Sequence, residues 1–561
     1  MSIQSSLEEY NKQVQKVKPL ELEIRFDKIR NKTIFENIFN TLCQYGFKRI
    51  SEKYYLKAII NSKDDLNNIR CEIEGLGNIE SFCNTNILPE NTSFIKKISR
   101  MDKIYNKDYG FSNALSNEKK IDSKDVIYKI YKKWSNLDKF YRLMNRITLK
   151  HDTISKFVID MSIVKSKKSD NFRTSGIFEE KEEYELEIEL NEQNENVNIK
   201  EVSEQLKQIV KYILCGRDET KFPIPYREKK LILSKYHSLF NGTKKNTFIG
   251  PSSVTLKKIN LIELPDNSEH VCVLNDFCIT DKADGLRKLL YISEEGKIYF
   301  LTNTYPMNVQ FTGRNLDTKR KKKYDLENVL LDGEYIEYDK DRNRIDLFMA
   351  FDIYFINGKD LRNNDFEYRY KQLNKTIVAI NEMSDNKKYG YCIQFECKKF
   401  YFINEKYDLF YNCDRLLSEI KSYTYRYNTD GIIFSTSTLG VTKESHEDSV
   451  QNKKYTWKHS LKWKPPEFNT IDFKIKIPLD NEKKEKIEFI YDLHSNSTIK
   501  YKLVHLYVGN NSKGNNIDTQ ISILKQIEQK KHSSQEEILF IPDNPYDKDA
   551  YKCYLKMEED D

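Results

Sequence analysis

Two short segments far apart in the chain alternate in the same way. Leu20-Glu21-Leu22-Glu23-Ile24-Arg25-Phe26 and Tyr184-Glu185-Leu186-Glu187-Ile188-Glu189-Leu190 each carry charge at alternate positions and mostly apolar side chains between. A period of two marks a β-strand, whose successive side chains point to opposite faces. One such strand reads as half-exposed, with its glutamates in water. Two in one region constrain the fold further. If their sheet closes into a barrel, both charged faces can point inward. Glu21, Glu23, Glu185, Glu187 and Glu189 then repel one another unless a divalent cation and basic side chains share the space.

The surrounding segments supply the rest of such a sheet. A short helix is expected over 7–16, ending before Pro19, and a second carries Phe35, Ile38, Phe39 and Leu42 at helical spacing. Further strands are expected near 49–59, 69–73, 141–150 and 156–165, with a closing helix near 199–214. By strand parity alone, Arg70, Lys150 and Lys165 are basic candidates for the lumen.

A different pattern begins past a connection, 216–250, that contains Pro223, Pro225, Gly242 and several lysines. In Thr280-Asp281-Lys282-Ala283-Asp284-Gly285-Leu286-Arg287 a lysine sits in a tight turn beside a β-like run, Lys288–Ile292. A lysine amine becomes a nucleophile when its surroundings favour the free base. Asp284 can orient it, Gly285 lets the backbone approach a nucleotide, and Arg287 can hold a ribose or phosphate. There follow, in order, a basic run at Lys319–Lys323, then Asp332-Gly333-Glu334, Phe351-Asp352-Ile353, Thr429-Asp430-Gly431-Ile432-Ile433-Phe434 and Leu461-Lys462-Trp463-Lys464-Pro465. Each alone reads as a turn, a core strand or a solvated edge. Five ordered matches make coincidence implausible.

The series Lys-x-Asp-Gly-x-Arg, Asp-Gly-Glu, Phe-Asp-Ile, Asp-Gly-Ile-Ile-Phe and Lys-Trp-Lys resembles the motifs of covalent nucleotidyltransferases: DNA ligases, RNA ligases and mRNA capping guanylyltransferases. The resemblance implies that Lys282 attacks the nucleotide α-phosphate, Arg287 contacts the ribose and Phe351 stacks on the base, with Asp352 hydrogen-bonding nearby. It further implies that Lys462 and Lys464 neutralise phosphates, while Glu334 and Asp430 position Mg²⁺. The two glutamate strands resemble the metal-binding motifs of tunnel-type RNA 5′-triphosphatases of fungal and large-DNA-virus capping enzymes, over residues 18–215. That match implies Glu21, Glu23, Glu187 and Glu189 as metal ligands and Glu185 as a supporting carboxylate. Arg146, in Arg142-Leu143-Met144-Asn145-Arg146, becomes the best phosphate ligand, and Asp160 an acidic strand position.

Together these imply a bifunctional mRNA capping enzyme resembling those of nucleocytoplasmic large DNA viruses. The expected fold is α+β and multidomain: a β-tunnel (triphosphate tunnel) domain at 1–218, a nucleotidyltransferase α+β domain at 219–465 and an OB-fold β-barrel at 466–561. The family's Arg-x-Asp-Lys signature of the last domain is not evident, and Pro542–Lys548 echoes it only loosely. No glycine-rich adenosylmethionine-binding turn is visible. The implied ligands are Mg²⁺ or Mn²⁺, GTP, and RNA bearing a 5′-triphosphate or diphosphate. The implied partners are a cap methyltransferase or the viral transcription machinery. The implied setting is intracellular, in the virion and the host-cell viral factory, with no membrane.

Composition bounds the alternatives. Net charge is +7, from 93 basic and 86 acidic residues, which permits a nucleic-acid groove without demanding one. Ten scattered cysteines form no CxxC pair, which argues against zinc and against a disulfide framework. No apolar run is long enough to span a bilayer. GTP over ATP follows from the resemblance, not from any contact read off the residues. Two other readings therefore stay open: an ATP-dependent polynucleotide ligase, and a non-catalytic RNA-end-binding virion protein.

Overall fold

The computed structural model describes residues 3–557 apart from 28, 192–194, 241–247, 264, 266–269, 305–306, 318–325, 384–392, 423, 442–455, 469–471, 481–483, 493–496, 510–536 and 543–545. The basic run Lys319–Lys323 lies outside the described residues, as do 543–545 of the C-terminal echo. The chain divides into two compact units, Met1–Trp463 and Lys464–Asp561.

The first unit opens with an eight-stranded antiparallel barrel. Its strands are β1 (Glu21–Phe26), β2 (Lys48–Asn61), β3 (Ile69–Glu74), β4 (Ser93–Ser99), β6 (Phe111–Lys120), β7 (Asp138–Lys150), β8 (Phe157–Ser169) and β9 (Glu183–Leu190). The order is β1-β9-β8-β7-β2-β3-β4-β6, closed by β6 on β1 with Glu21 opposite Ser116 and Phe26 opposite Phe111. A short β5 (Ile104–Asn106) adds to β6. Closure leaves no free edge on the ring, and each strand has an inner and an outer face.

The apolar positions face outward. Leu22, Ile24 and Phe26 of β1, with Leu186, Ile188 and Leu190 of β9, join one core with α1 (Ile3–Gln13), α2 (Lys32–Gln44) and α5 (Ile199–Asp218). On the other side, Leu56, Ala58, Ile60, Cys71 and Ile73 pack with α3 (Leu76–Thr85) and α4 (Lys124–Lys133). Each fully buried aliphatic side chain stabilises the fold by about 1.5–3 kcal/mol, so this outer packing holds the strands whatever the lumen carries. The helix expected over 7–16 starts and ends earlier, at Ile3–Gln13. Helix α2 and helix α5 begin on asparagine caps, Asn31 and Asn198, whose side chains accept from backbone N–H groups of the first turn. Where α5 crosses α2, a Cβ on Gly216 would stand 2.7 Å from the Ile38 Cα, so only glycine permits the approach.

Helix α5 leads directly into the second half of this unit. Gln310 donates to the carbonyls of Asp218 and Glu219, and Asp218 pairs with Lys229 at 3.0 Å on α6 (Tyr226–Ser238). Two sheets follow. One has the order β10-β21-β20-β11-β19, formed by Ser252–Thr255, Thr456–Trp463, Thr429–Thr436, Phe277–Ala283 and Tyr401–Phe402. The other runs β14-β13-β12-β15-β16-β17: Val309–Asn315, Lys297–Thr302, Leu286–Ile292, Val329–Tyr338, Arg344–Ile356 and Lys359–Asp360. A parallel β18 (Gln394–Cys397) lies on β16. Helix α7 (Phe366–Met383) covers the second sheet and α8 (Leu409–Lys421) the first.

In the second unit, β24 (Ser497–Gly509) pairs antiparallel with β22 (Lys474–Lys476), β23 (Ile487–Asp492), β25 (Glu537–Leu539) and β26 (Lys552–Lys556). The other four strands all pair with β24. A closed barrel is not present among the described residues.

Candidate active sites

The charged parities of β1 and β9 point into the barrel, not into water. Glu23 and Glu187 are buried, and Arg25 bridges them at 2.9 Å to each. Register explains the meeting: Arg25 lies directly across from Glu187, and Glu23 across from Glu189. Oxygens of Glu23, Glu187 and Glu189 all lie within 4.8 Å of one another, a spacing that one cation can bridge. Glu21 is not part of this trio. It sits on the lumen wall beside Lys97, at 3.9 Å.

Arg146 approaches the trio from β7, at 2.8 Å from Asp160 and 3.4 Å from Glu187. Asp160 also accepts from the Thr148 hydroxyl. Glu185, the third glutamate of β9, pairs with Arg142 at 2.5 Å. Arg70 faces the lumen as parity required and holds Glu72 and Glu118, each at 2.6 Å. Lys150 shares the parity of Arg146 but ends its strand opposite Lys48. Lys165 does not face the lumen. It has the parity of Met161 and Ile163, whose side chains pack in the outer core, and its ammonium donates to the Phe178 carbonyl. The C-terminal half of β8 is polar on both faces, so its sequence does not distinguish the lumen side from the outside.

Lumen residues missed by the sequence reading are Lys97, which reaches Glu23 at 3.3 Å and Glu118 at 3.1 Å, and Lys57, which holds Glu72 at 3.1 Å. Glu118 went unnoticed because Phe111–Lys120 does not alternate; most of that strand is buried on both faces. The alternation Arg70-Cys71-Glu72-Ile73 was a usable signal for Glu72.

Charge in the lumen is unbalanced. Glu21, Glu23, Glu72, Glu118, Glu185, Glu187, Glu189 and Asp160 face Arg25, Lys57, Arg70, Lys97, Arg142 and Arg146. The excess appears as displaced titration. Burial, Asp160 and Glu187 push Glu189 up to about 8; burial and Glu118 push Glu21 up to about 7. Burial also opposes ionisation of Glu23, but Arg25 and Lys97 hold it below the usual range. A divalent cation would offset the excess, so the donor set fits one.

The second site lies where the chain changes sheets. Strands β11 and β12 belong to different sheets, and the crossing is Asp284-Gly285. Lys282 and Arg287 thus reach one cavity of about 280 Å³ from its two walls. Its lining includes Lys282, Arg287, Glu334, Phe351, Asp352, Arg369, Lys398 and Lys462. Asp430, on β20 beside β11, binds the Lys282 Nζ at 2.6 Å.

Three expectations are corrected. Asp284 is exposed and does not orient Lys282; the turn carries it away from the cavity, and Asp430 does the orienting. Gly285 serves packing: a Cβ there would meet the Tyr335 carbonyl at 2.7 Å and Glu334 at 2.9 Å. Asp352 has both oxygens engaged by Arg369, at 2.8 and 2.9 Å, and pins β16 to α7.

Arg287 forks onto fully buried Asp332 at 3.0 and 2.5 Å and donates to the Pro251 carbonyl. Its guanidinium stands 5.4 Å from the Phe351 ring centroid, which faces the cavity. Asp332 also accepts from the Tyr354 hydroxyl at 2.6 Å. Glu334, displaced by burial and opposed by Lys398 and Arg287, titrates near 7, a carboxyl whose ionisation a cation would favour. Lys398 carried no motif; it follows β18 and donates to the Asp281 carbonyl at 2.7 Å. Lys462 lines the cavity, whereas Lys464 begins the second compact unit.

Residues 217–466 match the family described as mRNA capping enzyme, catalytic domain. A probable mRNA-capping enzyme of Acanthamoeba polyphaga mimivirus is 28% identical over 389 residues, 61% of this chain and 30% of the relative. An mRNA-capping enzyme subunit alpha of Schizosaccharomyces pombe is 25% identical over 268 residues, 44% of this chain and 58% of the relative. The chain thus spans less than two thirds of the length of these relatives. A solved RNA triphosphatase domain of a trifunctional mimivirus mRNA capping enzyme is similar over 38% of this chain and 95% of its own, at 18% identity and a TM-score of 0.29. Over residues 217–466 the chain is thus similar to the catalytic domain of the mRNA capping enzyme family.

Proposed function

We propose that this chain caps RNA in two steps at two sites: residues 1–218 remove the γ-phosphate from a 5′-triphosphate end, and residues 219–465, with an OB-fold at 466–561, transfer GMP from GTP to the diphosphate end. The observation that carries the reading is Lys282, held by Asp430 in a cavity lined with cations, within a capping-family catalytic domain.

In the barrel, Glu23, Glu187 and Glu189 would hold Mg²⁺ or Mn²⁺, which supplies Lewis-acid polarisation of a phosphoryl oxygen. Arg146, Arg25 and Lys97 neutralise charge on the phosphate chain. Water attacks the γ-phosphorus, its bond to the bridging oxygen breaks, and inorganic phosphate leaves a diphosphate end. Fixed cations and carboxylates already in place need no reorganisation at the moment of transfer.

In the cavity, the Lys282 amine attacks the α-phosphorus of GTP. A P–N bond forms, the bond to the β-bridging oxygen breaks and pyrophosphate departs. Asp430 orients the amine and is placed to accept its proton. Lys462 and Arg287 hold phosphate and ribose, and Phe351 stacks on the base. A β-phosphate oxygen of the diphosphate RNA then attacks the same phosphorus and returns Lys282 to its amine. Glu334 is the carboxyl for a metal here.

Incubation of the full chain with labelled GTP should leave a label on the protein that survives alkali and is lost in hot acid, as a lysine P–N bond requires, and triphosphate-ended RNA should release phosphate. Labelling from ATP in place of GTP would turn the reading to a ligase. RNA binding with neither reaction would turn it to a binding protein.

A further inference from the structure

Tyr55 of β2 takes no part in the steps above, yet it stands inside the barrel. Leu56, Ala58 and Ile60 hold the alternate positions and pack in the outer core. Tyr55 shares the parity of Lys57, whose ammonium lies 5.7 Å from the ring centroid. The guanidinium of Arg146 lies 6.0 Å from the same centroid. The ring is half-buried, and its hydroxyl has no hydrogen-bond partner among the described residues. Nothing therefore engages the phenol as a donor, and what the lumen receives is an aromatic face.

Arg146 ties that face to the proposed chemistry. The guanidinium that flanks Tyr55 also reaches Asp160 and Glu187, beside the carboxylate trio. A phosphate chain that ends at the trio and is held along its length by Arg146 leaves the attached nucleoside on the Tyr55 side. Resting on the triphosphatase reading, we infer that Tyr55 is a stacking platform for the first nucleoside of the RNA inside the tunnel. Every base presents a π-face, so such a platform binds any 5′ nucleoside without selecting its identity, and a flanking arginine strengthens the stack.

The test uses the full chain and two ligands that share the phosphates but not the nucleoside: triphosphate-ended RNA as substrate and inorganic tripolyphosphate as competitive inhibitor of its hydrolysis. Tyr55→Ala should raise KM for the RNA by about 5- to 150-fold, the range of a lost base–aromatic stack. The inhibition constant of tripolyphosphate should stay within about twofold, and Tyr55→Phe should match the parent on both, since the ring and not the hydroxyl acts. Equal weakening of RNA and tripolyphosphate would mean that Tyr55 only props Arg146, and would overturn the inference. So would an unchanged KM for the RNA in Tyr55→Ala. If the parent chain releases no phosphate from RNA at all, the triphosphatase reading itself falls.

Discussion

Inside the barrel, carboxylates outnumber the cations they face; around Lys282 the cations that line the cavity outnumber the carboxylates. The two regions lie in one compact unit and, on the proposed reading, both handle a triphosphate. The difference follows from what each asks of it. Hydrolysis in the lumen needs an imported cation, and a ring of strands with an acidic inner face can hold one. Transfer in the cavity needs a nucleophile that belongs to the protein and fixed positive charge to receive the nucleotide. The lumen is also built by register across a closed sheet, whereas the cavity is built by a chain that leaves one sheet and enters another at Asp284-Gly285.

If the regions are chemically independent, substitutions should separate them. Lys282→Met should lower GMP labelling by on the order of 10⁴-fold or more, as loss of a covalent nucleophile does. Phosphate release should be unchanged in the same sample. A shared loss in a folded protein would break the division into two sites.

Glu189→Gln should lower phosphate release by on the order of 10²–10³-fold and leave labelling intact. Glutamine resembles the protonated acid that Glu189 is near neutral pH, so circular dichroism should show the fold unchanged. Retained phosphate release would remove Glu189 from the metal set. Asp430→Asn should lower the rate of labelling by about 10²-fold at normal GTP affinity, because it keeps the geometry around Lys282 but not the base. An unchanged rate would reduce Asp430 to a packing role.

The smallest effect is on stability. A carboxyl with a raised folded pKa binds its proton more tightly in the folded state. Its contribution is therefore complete below about 4.5 and declines as pH rises through the values near 7 and 8 of Glu21 and Glu189. A divalent cation bound to the carboxylates reverses that loss. Added Mg²⁺ should raise Tm by about 2–4 °C at about pH 8.5 and by less at about pH 6. Equal shifts at both would place the ion outside the lumen carboxylates.

Much of this was legible in the chain, and unevenly so. The alternation of β1 and β9 announced an inward charged face because both strands are regular and their apolar positions supply the outer core. Phe111–Lys120 gave no such signal, since most of it is buried from both sides, and with it Glu118 stayed hidden. Lys97 was lost for a related reason: Ser93–Ser99 is only partly covered and carries lysines at two adjacent positions. Within residues 217–466 the motifs named Lys282 and Asp430 separately. Their contact needs β11 beside β20, a pairing across 148 positions that no local pattern encodes. Asp284, two positions from the lysine, drew the orienting role because a turn's direction cannot be read from composition. Asp332 was present in a motif without a role, and the structure gives it one, as the buried anchor of Arg287.

On the proposed reading Lys282 is the residue that becomes covalently nucleotidylated, from GTP and independently of the lumen. The direct measurement is peptide mapping by mass spectrometry of the full chain after incubation with GTP or ATP and Mg²⁺, in the parent and in Glu189→Gln. A GMP adduct on the peptide containing Lys282, formed equally in both proteins and not replaced by an AMP adduct, is the predicted result. An adduct on another residue, an adduct from ATP alone, or one that vanishes with Glu189 would contradict it.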